Sequence, residues 1–314
     1  MPRHILASLI VAALLTAAAP LHAEELRITS WNLDLHGNPN LKPYRTPAPN
    51  DLARILNHIQ PDILVVQEAR PDFGPTNNPP RNRTLRDALK QLPGRWDHAL
   101  LPADDPSGFM RTGVAWNRDK LKLNNGPIGT KLRVRHARVP GSDLRTWLRH
   151  PYGFHFAVRG NQTDFLLIPA HLKAEHGNND YTRFRHQEAT ELAAALPRLT
   201  KQLDEQDVIV MGRLNSTHSE PATQAFASAN LTDANPDDQP ALLALDRKAR
   251  QVVPHFAPTR AFLANNQPEL ANPRFTVTPL DTMANLGFSP AYYYQRISDY
   301  LPATITLTIQ PDDD

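Results

Sequence analysis

The feature that most constrains this chain is a set of short apolar runs, each stopping abruptly at polar residues. Ile63 to Val66 is continuously apolar and ends at Gln67-Glu68. Leu26 to Leu33 alternates loosely and closes on Trp31-Asn32-Leu33-Asp34. Phe165 to Ile168 leads to His171, and Val208 to Met211 runs into Gly212-Arg213-Leu214-Asn215. Ser298-Asp299-Tyr300 precedes the last run, Ala303 to Ile309. Runs of this length without polar interruption are strands buried on both faces. Polar side chains held at strand ends by a rigid sheet are the usual way to build a site.

Helical spacing appears between the runs. Leu52, Ile55, Leu56 and Ile59 fall on one helical face, with Asn50-Asp51 expected as the cap and Pro61 as the stop. Further helices are expected around Leu85 to Leu92, from about Tyr181 to Leu196, and near Pro221 to Ala229. Strands are expected near Trp96 to Leu100 and Gly113 to Trp116, with Tyr152 to Val158 as hairpin partner of Phe165 to Ile168. Pro-, Asn- and Asp-rich connections occupy 71–83, 234–240 and 264–274. Strands and helices recur without strict alternation, which predicts mixed sheets with helices outside. No internal repeat and no long linker divides the chain, so one domain is expected.

Composition removes several alternatives. There is no cysteine, so neither a disulfide scaffold nor a thiolate metal centre can form. Thirty prolines in 314 residues are about twice the usual share and favour rigid loops. The formal net charge of +2 excludes bulk electrostatic coating of nucleic acid, and no strong nucleic-acid signature is present. One local bias stands out: seven cations between Lys131 and Arg159 face Asp143 alone. It suits either a phosphate-facing surface or a solvated face balanced by the acidic 232–246 region.

The N-terminus has its own pattern. Arg3-His4 precedes an apolar run, Ile5 to Ala19, then Pro20 and a small residue, Ala23, just before Glu24-Glu25. This is the pattern of a secretory signal peptide over residues 1–23, leaving 24–314 as the mature domain. The alternative is an uncleaved anchor, for which fifteen apolar residues are short. Export without cysteine fits a bacterial periplasm or the exterior. No other stretch is long and apolar enough to span a membrane, and a monomer is expected.

Taken in order, these segments resemble the endonuclease/exonuclease/phosphatase superfamily, whose fold is that of pancreatic-type deoxyribonuclease. Ile28 to Asp34 resembles the opening strand with its Asn, and Asp62 to Glu68 the strand ending in the metal-binding Glu. Thr112 to Leu121 is similar to the family's Gly-Val-Ala, aromatic and Arg strand. Ile168 to Ala174 resembles the strand with a catalytic His, and Arg185 to Leu192 the helix that follows. Val208 to Asn215 stands in the place of Gly-Asp-x-Asn, and Ser298 to Ala303 in that of Ser-Asp-His-x-Pro.

The resemblance implies an α/β fold, a four-layer sandwich of two mixed β-sheets packed face to face with helices outside. It implies metal-dependent hydrolysis of phosphoric esters with Mg²⁺ or Mn²⁺. By resemblance, Glu68 is the main metal ligand with Asn32 and Asp34 beside it. His171 contacts phosphate, Asn215 polarises it or holds water, and Asp299 lies near the metal. Asp281 resembles the carboxylate that orients the catalytic His. A phosphate-bearing ligand is the implied partner.

Two positions break the pattern: Arg213 replaces the Asp of Gly-Asp-x-Asn, and Tyr300 replaces the His of Ser-Asp-His. Arginine has no acceptor and stays protonated, so it neither ligates a cation nor takes a proton from water. Tyrosine, with an ordinary pKa near 10, is a poor acid or base at neutral pH. The expectation is therefore a catalytically impaired or inactive relative, a pseudoenzyme of the phosphodiesterase type. Three placements of Arg213 are open: paired with Glu68, Asp299 or Asp34 in place of a metal, contacting an anion, or facing solvent. An active hydrolase with an altered site and an exported binding or structural protein retaining only the fold are the alternatives. The run Tyr292-Tyr293-Tyr294 serves either to stack a base or sugar or to anchor a loop.

Overall fold

The computed structural model describes residues 24–33, 45, 47–71, 81–101, 111–125, 149–160, 163–175, 180–265, 267 and 269–311. The signal segment, Asp34 and most of the basic stretch, 131–148, lie outside the described residues.

Along the chain the elements are β1 (Glu25–Asn32), α1 (Pro49–Ile59), β2 (Ile63–Ala69), α2 (Arg83–Leu89), β3 (Trp96–Leu100), β4 (Arg111–Asn117) and β5 (Leu121–Asn125). Then come β6 (Phe154–Val158), β7 (Asp164–His171), α3 (Thr182–Leu203), β8 (Val208–Arg213), α4 (Pro221–Ser228) and β9 (Leu231–Asp233). The chain ends with β10 (Leu242–Asp246), β11 (Gln251–Phe256), β12 (Thr259–Ala264), β13 (Leu270–Val277), α5 (Leu280–Asn285), α6 (Pro290–Tyr292) and β14 (Ala303–Ile309). A single π-helical turn, Tyr293–Ile297, continues α6.

Two six-stranded sheets form, in the orders β13-β14-β1-β2-β4-β3 and β5-β6-β7-β8-β12-β9. Each is antiparallel except for one parallel pair, β1 with β2 and β7 with β8. Each parallel pair is joined by a helical crossover, α1 in the first sheet and α3 in the second.

The continuous apolar runs now have a physical reason. Ile63 and Val65 face the inter-sheet core with Leu167, Ile209 and Met211. Leu64 and Val66 face the other way, onto Leu52, Ile55 and Leu56 of α1. In the second sheet Leu166, Ile168, Val208 and Val210 pack outward with Leu192 and Leu196 of α3 and Phe226 of α4. Each such buried side chain contributes about 1.5–3 kcal/mol. The result is helix, sheet, sheet, helix: the four-layer sandwich expected from the sequence.

Some local expectations are corrected. Asn50-Asp51 does not cap α1. Ala48 is the cap residue and Pro49 opens the first turn, where its missing N–H and fixed φ suit it. Helix α3 does not end at Leu196 but continues through Pro197 to Leu203, because Leu199 still buries a face against the second sheet. The 264–274 connection contains the start of β13. Its Asn272-Pro273 pair falls in a bulge, where pairing skips from Ala271 to Arg274.

Candidate functional site

The two parallel pairs bring four strand ends to one edge of the sandwich. Asn32 ends β1, Glu68 lies near the end of β2, and His171 and Arg213 are the last residues of β7 and β8. Local backbone aims two of the side chains. Strand β2 bulges between Val66 and Ala69, and within that bulge Glu68 takes a left-handed φ of 56°. A bulge re-aims a side chain in this way. Asn215, two residues beyond β8, has a φ of 52°. Gly212 is required between them: a Cβ there would stand 2.0 Å from the Ala170 carbonyl oxygen of the neighbouring parallel strand.

Arg213 resolves the question raised by the sequence. Its Nη1 donates to Glu68 Oε1, and its Nε donates to Asn215 Oδ1 at 2.7 Å. Its guanidinium lies 4.5 Å from the centre of the Tyr300 ring, a cation–π contact. Arg213 and Glu68 are only 13% and 14% exposed at the side chain, so the charge pair is largely withdrawn from water. Asn215 Nδ2 in turn donates to the Leu172 carbonyl at 2.8 Å, which fixes the orientation of its amide.

His171 is buried beside this pair, its Nε2 4.0 Å from Glu68 Oε1. Neither ring nitrogen has a hydrogen-bond partner among the described residues. Burial holds its pKa well below the ordinary value, and the Arg149 and Arg213 cations push it the same way. The imidazole is therefore neutral at physiological pH.

The Ser298–Tyr300 segment is latched onto β1. Ser298 Oγ donates to the Asn32 carbonyl at 2.6 Å and accepts from the Tyr300 N–H at 2.9 Å. The Tyr300 carbonyl accepts from Trp31 Nε1 and from the Tyr293 hydroxyl. The β10–β11 hairpin closes over it, with the Leu243 N–H donating to the Asp299 carbonyl at 2.7 Å. Asp299 faces a different cation, buried Arg45, at 3.5 Å. Arg45 Nε also donates to the Tyr294 carbonyl at 2.6 Å, and its guanidinium lies over the Tyr294 ring. Sequence reasoning missed Arg45, which lies among Pro and Asn residues without any periodic signal. The three tyrosines act as anchors: Tyr293 is buried, Tyr294 holds Arg45, and the Tyr292 hydroxyl donates to Asp51.

The edge thus gathers Asn32, Glu68, His171, Arg213, Asn215, Asp299 and Tyr300. Asp281 is not gathered there as an orienting partner of His171. It is exposed in the first turn of α5, beside Gln239, Pro240 and Leu301, and His171 accepts no contact from it. The physical reason is that the chain leaves β13 at Val277 and starts a new helix before Asp281 is reached.

The described residues do not fit a divalent cation at this edge. Glu68, the central carboxylate, is engaged by a guanidinium, and Asp299 faces Arg45. A dication would have to displace the Arg213 guanidinium from Glu68 and then stand beside that fixed positive charge. Among the described residues, the three-residue group with metal-ligand spacing lies elsewhere, at His155, Asp164 and Glu205. No described helix is long and apolar enough to cross a membrane.

No protein-family profile and no curated protein sequence matches the chain. Solved structures do. The catalytic domain of human Nocturnin, with a bound sulfate anion, superposes with a TM-score of 0.60 at 20% identity, over 91% of this chain and 94% of that one. An endonuclease/exonuclease/phosphatase family protein from Bacteroides thetaiotaomicron gives 0.60 at 15% identity, over 91% and 98%. The mannosyl-6-phosphatase Bt3783 of the same organism gives 0.58 at 15%, over 90% and 99%. The architecture of this chain is the one these proteins share.

Proposed function

We propose that this chain, which has the deoxyribonuclease I-like fold of the endonuclease/exonuclease/phosphatase proteins, is an exported and catalytically lapsed member of that group. In this reading it binds a phosphate-bearing ligand and does not hydrolyse it. One observation carries the reading: the Arg213 guanidinium is bonded to Glu68, the carboxylate that the resemblance assigns to the metal. Phosphoester hydrolysis on this fold needs an oxygen-ligated cation and a group that takes a proton from water. Arg213 can do neither. Tyr300 is stacked against Arg213 and carries no imidazole.

What remains suits an anion. His171 is neutral and neither of its buried ring nitrogens is hydrogen-bonded, so its N–H is the donor that an anion admitted to this edge would meet. Arg149 and Arg213 act on it with positive charge. The sulfate bound to human Nocturnin shows that an anion of phosphate shape is accepted by that protein. Export rests on the apolar segment before Glu24 and its small-residue boundary at Ala23. N-terminal sequencing of the protein from a periplasmic or culture fraction would begin at Glu24.

The test uses a chromogenic phosphodiester with added Mg²⁺ or Mn²⁺, together with calorimetry of inorganic phosphate. The wild type should show no turnover above background, and Glu68→Ala should leave that result unchanged. Phosphate should bind, and Arg213→Met should weaken it. The double change Arg213→Asp with Tyr300→His should bring in Mg²⁺ binding that the wild type lacks. Metal-dependent turnover abolished by Glu68→Ala would overturn the reading in favour of an active hydrolase with an altered site.

A further inference from the structure

We propose that His155, Asp164 and Glu205 form a binding site for a divalent first-row transition cation of the zinc class, at the end of the second sheet opposite Arg213. The three residues converge from separate elements. His155 is the second residue of β6 and Asp164 the first of β7. In the β6–β7 register His155 pairs with Leu166 and Ala157 with Asp164, so both side chains emerge on one face, diagonally across the hairpin. Leu166 shows which face this is: it packs outward, toward α3. Glu205 comes from the turn between α3 and β8, just past Asp204, whose left-handed φ of 57° ends the helix.

The distances suit a small cation. His155 Nε2 lies 2.8 Å from Asp164 Oδ2 and 3.5 Å from Glu205 Oε2, and all three ligand atoms fall within 4.8 Å of one another. Ligand bonds of about 2.0–2.2 Å in tetrahedral geometry place neighbouring donors about 3.4 Å apart. The two His155 distances lie within about 0.6 Å of that spacing. The charges also balance, since two carboxylates neutralise a dication and a neutral imidazole completes an N,O,O set.

A second observation points to a ligand. The Glu205 side chain is 1% exposed. Its Oε1 accepts the Asp207 N–H at 2.6 Å, which fixes the carboxylate. Its Oε2 faces His155 Nε2 at the ion-pair distance of 3.5 Å but makes no hydrogen bond, because Asp164 holds that nitrogen at 2.8 Å. A carboxylate oxygen buried without a hydrogen bond is costly, and a cation shared with His155 and Asp164 would satisfy it. Asp164 is a quarter exposed, leaving one side open to a water as fourth ligand. Such an ion would fasten the β6–β7 hairpin to the α3–β8 turn.

Calorimetry with ZnCl₂ and thermal unfolding of the whole chain test this. Zinc should bind one-to-one and raise Tm. His155→Gln and Glu205→Gln should each lower the affinity at least about tenfold. Glu205→Gln keeps the shape of the side chain and an oxygen to accept the Asp207 N–H, so it should fold. Arg213→Met should leave zinc binding intact, separating this cluster from the Glu68 edge. Absence of a zinc-induced Tm rise, or a rise that survives in both cluster variants, would overturn the proposal.

Discussion

Arg260 and Arg213 sit on neighbouring strands and do opposite jobs. In the β8–β12 pairing Arg260 stands across from Gly212, and Arg213 across from Thr259. Arg260 is fully buried. It donates to the carbonyls of Ser216 and Asn235, to Asp233 at 2.5 Å, and pairs with Asp238. All these partners come from the second sheet and its loops. Arg213 reaches across instead, to Glu68 of the first sheet, and lays its face on Tyr300. The first arginine completes a local network. The second joins the two sheets at the edge where the four strand ends meet. A buried arginine is therefore not informative alone; which layer supplies its partner decides what it does.

Breaking Arg260 should cost most. Arg260→Met removes the cation from the buried Asp233 carboxylate, leaving it only His218 and the Asn235 N–H, and takes the Arg260 donor from the Asn235 carbonyl; losing one partner of a buried pair costs about 3–5 kcal/mol. Urea unfolding would read this as a lower midpoint with an unchanged slope. The phosphate affinity of the Glu68 edge should not move.

Acid comes next and touches the Arg213 side of the comparison. His171, beside Arg213, is held neutral by burial. In the first sheet His98 is pushed down to about 4, chiefly by burial, and accepts the Asn82 N–H at α2's first turn. A base with a lowered folded pKa binds its proton more readily when unfolded, so stability is complete above about 6.5 and lost as pH falls toward 4. For His98 the loss approaches about 3 kcal/mol by pH 4. Unfolding free energies from pH 7 to pH 4 should fall in this window. His98→Gln should flatten the fall, and His171→Gln should flatten it further. A flat wild-type profile would contradict both assignments.

The Arg213 pair itself should cost least. Arg213→Met strands a mostly buried carboxylate and should destabilise by about 1–3 kcal/mol. Adding Glu68→Gln removes the stranded charge and should restore much of that loss. A double-mutant cycle of the two positions measures their coupling directly. If the cycle shows none, the bond across the sheets is geometric only.

The layers were legible because burial on both faces writes itself as unbroken apolar runs, as in Ile63 to Val66 and Val208 to Met211. The pairing of Arg213 with a carboxylate was legible for a chemical reason. A guanidinium placed where the motif has an acid finds the remaining acids nearby. Strand β12 was harder to see, because Arg260 interrupts an otherwise apolar segment and only its partners explain its burial. The partner of Asp299 was invisible, since Arg45 is more than 250 residues away in sequence. The His155 cluster was half visible: hairpin alternation relates His155 to Asp164, but Glu205 arrives through a helix-ending turn.

Glu68 and Asn215 both hold left-handed backbone without being glycine. Each such residue carries about 1–2 kcal/mol of conformational strain that packing must outweigh. That strain has one visible product, two side chains turned inward to meet each other's neighbour. A chain that had abandoned the edge would be free to relax it. Here both turns are kept, and both side chains close on one guanidinium. The left-handed turns at Glu68 and Asn215 thus pre-set the two side chains that grip Arg213, and any residue put in its place would meet the same two oxygens.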